Sequence, residues 1–262
     1  MGLIDRFRMT SKVWAKTIVA FESPHRLQDL GTQGHQDSPS VESNGGDMLK
    51  IRLAHTSERI RDASVLVQKR YGEAGYQSVG GGPNKNVCPE QITLLSYHKD
   101  KVVGTLTLGL DIGQGLYADE LYKPEIDKLR SEGRKVAEIT KLAVDSKLPS
   151  KRILAALIHI AYIYGARIWR YTDVVIEVNP SHAEFYKRML GFRAIGEERL
   201  CTRVNAPAVL LWVESRHLKH KIAEFGGGLE TGRKERSLFP YFFSQSDELE
   251  ITHRLVQNEH GG

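Results

Sequence analysis

Apolar and polar positions along this chain follow two rhythms, and the change from one to the other lays out most of its elements. Residues 49–54 alternate apolar and polar as a half-buried strand does. Thr56 then stands as a helix cap ahead of Ile60, Ala63 and Val67, whose helical spacing runs on to Tyr71. Residues 92–98 and 102–108 flank the polar turn Lys99-Asp100-Lys101 and predict a hairpin of second and third strands. Residues 116–130 predict a helical excursion interrupted at Pro124. Residues 136–145 predict a buried fourth strand, residues 153–167 an apolar helix, and residues 174–178 a fifth strand ending at Asn179-Pro180. A helix closing on Gly191-Phe192 follows, and residues 194–200 and 209–214 predict a last strand pair. This interleaving gives an α/β (α+β) chain.

The ends read differently. Residues 28–47 are rich in Gly, Ser, Gln, Asn and Asp, so residues 1–47 are expected to be a flexible N-terminal extension and linker. One domain is expected over 48–257, closed by a tail with the aromatic knot Leu238-Phe239-Pro240-Tyr241-Phe242-Phe243, and a disordered end over 258–262. Arg6, Arg8, Lys12 and Lys16 break any apolar stretch near the N-terminus, which argues against a secretory signal. That segment is compatible with peripheral membrane contact, although a loosely docked extension is the simpler reading. The longest apolar run, 153–163, is broken by His159 and falls short of the ~20 residues of a membrane span, so a soluble, cytoplasmic protein is expected.

The net charge of +5 comes without a Lys/Arg block, favouring a local surface for acidic partners over nucleic acid. Cys88 and Cys201 lack metal spacing and read as reduced structural thiols. Gly80-Gly81-Gly82-Pro83-Asn84 reads as a turn or mobile loop, and Gly113-Gln114-Gly115 is a poor dinucleotide fingerprint. No nucleophile elbow, Cys/His pairing, metal cluster or Walker loop is evident. What stands out is the fourth strand, VAEITKLAVD, with Glu138 and Lys141 inside an otherwise apolar run. Charges there need a partner or a task, so the two are either an ion pair or part of a site. Residues three apart on a strict strand face opposite ways, so both reaching one site requires a bulge. His159, among apolar neighbours, and His182, at a helix start, read as structural.

The order of strand, apolar helix, strand at 174–178 and the helix Phe185-Tyr186-Lys187-Arg188-Met189-Leu190-Gly191-Phe192 resembles the GNAT acyltransferase superfamily over roughly residues 49–254. Within it the chain is most similar to bacterial N-acyl amino acid synthases, and its fourth strand also resembles that of acyl-homoserine-lactone synthases. The resemblance implies a single GNAT-like domain, with a central mixed twisted sheet, splayed fourth and fifth strands and flanking helices. An acyl-pantetheine arm would lie in that gap against strand backbone at Leu142 and Val144, with Asn179 as a further partner or as an ordinary strand terminator. Glu138 falls on the family's acidic position as general base, Lys141 would bind the acceptor carboxylate, and Tyr186 would protonate the departing thiolate. Tyr186 lies five residues before Gly191, where the commonest family spacing is four, which would rotate its ring away.

The family's acetyl-CoA enzymes carry a glycine-rich pyrophosphate loop after the fourth strand, whereas this chain has Ser146-Lys147-Leu148-Pro149-Ser150-Lys151-Arg152. Without glycine a tight cradle is not expected, and Lys147, Lys151 and Arg152 suit an acidic carrier surface instead. The expectation is therefore transfer of a long acyl chain from acyl carrier protein to the α-amine of an amino acid. The donor would be acyl-phosphopantetheine on the carrier, with no permanently bound cofactor, no metal and no nucleic acid. The alternatives are an acyl-homoserine-lactone synthase, whose acidic cluster the segment Tyr71-Gly72-Glu73-Ala74-Gly75-Tyr76 does not reproduce, or a non-catalytic carrier-binding module.

Overall fold

The computed structural model describes residues 17–22, 48–54, 56–76, 90–145, 150–228 and 235–260. Among these described residues nine strands are found: β1 Thr17–Glu22, β2 Met48–Leu53, β3 Glu90–His98, β4 Lys101–Leu110, β5 Val136–Val144, β6 Asp173–Val178, β7 Arg193–Ala194, β8 Arg199–Cys201 and β9 Ala206–Glu214. Six α-helices accompany them: α1 Ser57–Glu73, α2 Asp119–Ser131, α3 Ser150–Tyr162, α4 Pro180–Leu190, α5 Ser215–Phe225 and α6 Gln245–His260. The sheet order is β1-β2-β3-β4-β5-β6-β9-β7, with β8 hydrogen-bonded to β9. All pairs are antiparallel except β5 with β6, which α3 joins as a crossover. This is the α/β interleaving that the sequence pattern predicted, arranged as the mixed sheet with flanking helices that the resemblance implied.

Local chemistry explains the main boundaries. Thr56 caps α1 by accepting from the Arg59 N–H at 3.3 Å, and α4 ends at Gly191 in left-handed geometry, φ 77°. Gly104 in β4 has the opposite task of closeness: a Cβ there would lie 2.7 Å from the Ile153 side chain of α3. α3 is apolar nearly all round because it lies between β4 and the C-terminal tail, with Ile153, Ala156, Leu157 and Ile160 fully or almost fully buried. Leu238, Phe239, Phe242, Ile251 and Leu255 join that same core, as expected for the aromatic knot.

Three expectations change. Thr17–Glu22, inside the segment expected to be a loose extension, pairs with β2, and its Phe21 ring meets Phe243 at 5.7 Å. The segment expected as one helix to residue 167 is α3 followed by a π-helical stretch, Ile163–Ile168. α6 continues to His260, past the expected start of a disordered end at 258. Cys88, Lys147, the 80–84 loop, most of the N-terminal segment and the end at 261–262 lie outside the described residues. Among the described residues no helix is long and apolar enough to cross a membrane.

Candidate active site

β5 and β6 are partners only at their beginnings, from Val136↔Asp173 to Ile139↔Ile176. Beyond Ile139, β5 stays with β4 while β6 stays with β9 as far as Val178. The strands expected to splay, now fifth and sixth because β1 precedes them, part at that point. Residues 140–144 therefore turn an edge that β6 does not pair toward the gap, and Leu142 and Val144 lie in this stretch.

The required bulge is present. Thr107 pairs with Thr140 and Thr105 with Ala143, so Lys141 and Leu142 together oppose the single residue Leu106. Lys141 takes the left-handed conformation, φ 51°. Thr105, Thr107 and Gly109 alternate along β4 and share a face, so their partners Ala143, Thr140 and Glu138 share it too. Leu142 and Val144 instead pack against the core on the α3 side. Lys141 is exposed, although the protein around it pushes its ammonium below the usual lysine value. No ion pair joins it to Glu138.

Glu138 is 1% exposed, and burial raises its carboxyl to about 8, with the nearby Glu177 carboxylate adding to the shift. Its Oε2 accepts the Tyr117 N–H at 2.8 Å. The Tyr117 carbonyl accepts from Arg203 Nη1 at 2.8 Å, and the same guanidinium donates to Glu177 Oε1 at 2.7 Å and Glu120 Oε2 at 2.8 Å. One backbone residue thus links the two strand carboxylates through Arg203. Glu177 Oε2 is buried without a hydrogen-bond partner, as are Thr140 Oγ1 and Thr105 Oγ1 on the Glu138 face. Unpaired buried oxygens of this kind are uncommon, and these three make the sheet face that carries Glu138 polar.

Tyr186, on α4, packs against the main core. Burial pushes its hydroxyl up to about 12, and the Tyr71 and Tyr76 hydroxyls at the end of α1 add to the shift. Its ring stands edge-on to Phe185 at 5.3 Å and to Phe192 at 6.2 Å. Tyr71 is in turn raised by burial, by Tyr76 and by Glu177. Asn179 is the α4 cap, its Oδ1 accepting the Ser181 N–H at 3.0 Å and the Ser181 hydroxyl at 2.7 Å.

The basic rim is tied inward. Lys151 lies 6.0 Å over the Tyr241 ring and Arg152 5.4 Å over Phe21. His159 is structural: its Nδ1 accepts the Phe243 N–H at 3.1 Å, which leaves Nε2–H to donate to Glu248 at 3.1 Å. Glu177, Arg203, Tyr71, Tyr76 and Tyr117 were not singled out from sequence. Glu177 carried the same signal as Glu138, a carboxylate inside the apolar strand VVIEV. Among the described residues no three His, Cys, Asp or Glu side chains could share a metal ion. A cleft of about 390 Å³ lined by Arg134, Tyr162, Arg170 and Ser215 lies where β5 and β6 begin, away from the splay. The buried Glu138 carboxyl, not that volume, marks the candidate site.

A family model described as "N-acyl amino acid synthase FeeM" matches residues 62–214, more than half the chain. The structure of FeeM, an N-acyl amino acid synthase from uncultured soil microbes, is similar at 26% identity and TM-score 0.58, covering 66% of this chain and 94% of that one. Escherichia coli ElaA matches at 13% identity and TM-score 0.45, covering 63% of this chain and 99% of its own. The AHL synthase LasI matches at 12% and 0.46, covering 65% and 91%. No curated protein matches by sequence. With a splayed sheet, a bulged central strand and a buried glutamate at the gap, and with the family model spanning all three, the chain belongs to the FeeM family of N-acyl amino acid synthases and is an acyltransferase.

Proposed function

We propose that the protein moves a long acyl chain from the phosphopantetheine arm of acyl carrier protein to the α-amine of an amino acid. The single observation that carries this reading is Glu138: a buried carboxyl held near 8, on the face where β5 leaves β6. A base near that value lies much closer to an α-ammonium than an ordinary glutamate does, so the proton is exchanged with less loss of driving force. Glu138 takes the proton from the ammonium, and the neutral nitrogen attacks the thioester carbonyl. A C–N bond forms, the C–S bond breaks, and the thiolate takes a proton from Tyr186, whose hydroxyl is neutral at working pH; the second proton of the attacking nitrogen restores that hydroxyl as the amide forms, and the proton on Glu138 is released to solvent. The edge of residues 140–144 that β6 leaves unpaired suits the amides of the arm and the developing oxyanion. Lys141, exposed at the bulge, is available to the acceptor carboxylate.

The donor assignment rests on the loop after β5. It has no glycine to cradle a pyrophosphate, and it leads into Lys151 and Arg152. A reaction with long-chain acyl carrier protein and a mixture of amino acids, read by mass spectrometry, is expected to give N-acyl amino acids. Acetylated products alone, or equal turnover with acyl-CoA, would remove the carrier protein from this account.

A further inference from the structure

We propose that Glu177, which the acyl-transfer reading above does not use, forms with Glu138 the seat that binds the acceptor's ammonium group. The inference rests on that reading for the identity of the bound group, but the seat itself follows from geometry. Val175 lies opposite Glu138 across the β5–β6 ladder, and Glu177 is two residues further along β6, on the same face and just past the last β5–β6 pair. Its side chain is 10% exposed, and Oε1 is held by Arg203 at 2.7 Å while Oε2 is buried and unpartnered.

The charge balance points to a cation. The groups facing Glu177 are Glu138 from β5, Arg203 and Cys201 from the β8–β9 hairpin, Tyr71 from α1 and Tyr122 from α2. Glu120 of α2 joins through Arg203. Arg203 is the one cation among these groups, and it already meets two carboxylates and a carbonyl. Burial and Glu177, which also takes a weak hydrogen bond from the thiol, raise Cys201, so that neighbour offers a neutral sulfur donor and no compensating charge. Arg203 is thus committed to the protein and is not free for an acceptor carboxylate. An ammonium, with three donors, matches Glu177 Oε2, Glu138 and the Thr140 hydroxyl.

Glu177→Gln keeps an acceptor for Arg203 but removes the charge. It should raise the KM for the amino acid about tenfold or more, as expected for a lost charge-assisted contact, with a smaller fall in kcat. The rising limb of the pH–rate profile should move to lower pH, because a like charge beside Glu138 is gone. Arg203→Met should move that limb the other way, whereas a Glu177 that only anchored Arg203 would make the two variants shift alike. Calorimetry on the wild-type protein needs neither turnover nor a folded variant: across the amides of the common amino acids and the matching deaminated acids, an amide should bind where its deaminated acid does not. A wild-type KM in Glu177→Gln, parallel shifts in the two variants, or a deaminated acid that binds as well as the amide would overturn the seat. Failure to form N-acyl products at all would instead remove the acyl-transfer reading and leave the calorimetric result standing on its own.

Discussion

At the scale of single residues, Glu138 shows how one burial serves chemistry at the expense of stability. Its folded value near 8 lies above the value of an unfolded glutamate, so the folded state binds more protons between about pH 4.5 and 8. The stability this group contributes is present below the unfolded value and is lost as pH rises through the folded one. Glu138→Gln removes that loss while still offering an oxygen to the Tyr117 N–H. The variant should melt higher than wild type by a margin that widens from pH 5 to pH 8 in thermal denaturation. Its turnover should fall on the order of a hundredfold or more, as for a lost general base. A wild-type rate that climbs toward pH 8, absent in the variant, ties both effects to one proton. Equal melting curves would mean that the carboxyl is not held as described.

At the scale of elements, the candidate site depends on two backbone events, the bulge at Lys141 and the early parting of β5 from β6. The first was legible in the sequence, because Glu138 and Lys141 cannot serve one site on a regular strand. The apolar runs and turn residues likewise gave β2 through β6 and α1. Glu177 was legible in principle by the same logic as Glu138. Arg203 was not, since it sits in the turn between β8 and β9, where no periodicity marks an arginine that reaches 26 residues back to Glu177. β1 was hidden because six residues between a basic segment and a polar linker form a strand only once β2 offers an edge and Phe21 finds Phe243. The seating of α3 on β4 supplies a test at this scale. Gly104→Ala places a carbon 2.7 Å from Ile153, in a region with no space to yield, and should cost about 1–3 kcal/mol in denaturant titrations. A neutral effect would show that α3 rides looser on the sheet than its burial indicates.

At the scale of the whole molecule, the parts of the site come from elements spread between residues 71 and 203, and the carrier must dock without disturbing that assembly. The C-terminal tail is locked by Glu248, which takes His159 at 3.1 Å and Arg167 at 2.6 Å inside the core. His159 is held below its ordinary value by burial, so it favours the folded state while neutral. That contribution is complete above about 6.5 and is lost as pH falls below it. Lys151 stands where this locked tail, the first turn of α3 and the opening after β5 meet. A cation in a helix's first turn opposes the macrodipole by about 0.3–1 kcal/mol, and its contact with Tyr241 returns about 0.5–1 kcal/mol. These terms nearly cancel, so the residue is neutral for stability and its charge is left to act outward. Lys151→Glu should therefore change the unfolding free energy by less than about 1 kcal/mol. Under the carrier-protein reading it should also raise the KM for acylated carrier several-fold at low salt, chiefly through slower association, while kcat at saturating donor is unchanged. Adding Arg152→Glu should deepen the effect, and raising the salt should bring wild type and variants together, because exposed charges are screened over about 8 Å at physiological ionic strength. A donor KM that ignores both the reversal and the salt would move carrier docking away from the start of α3.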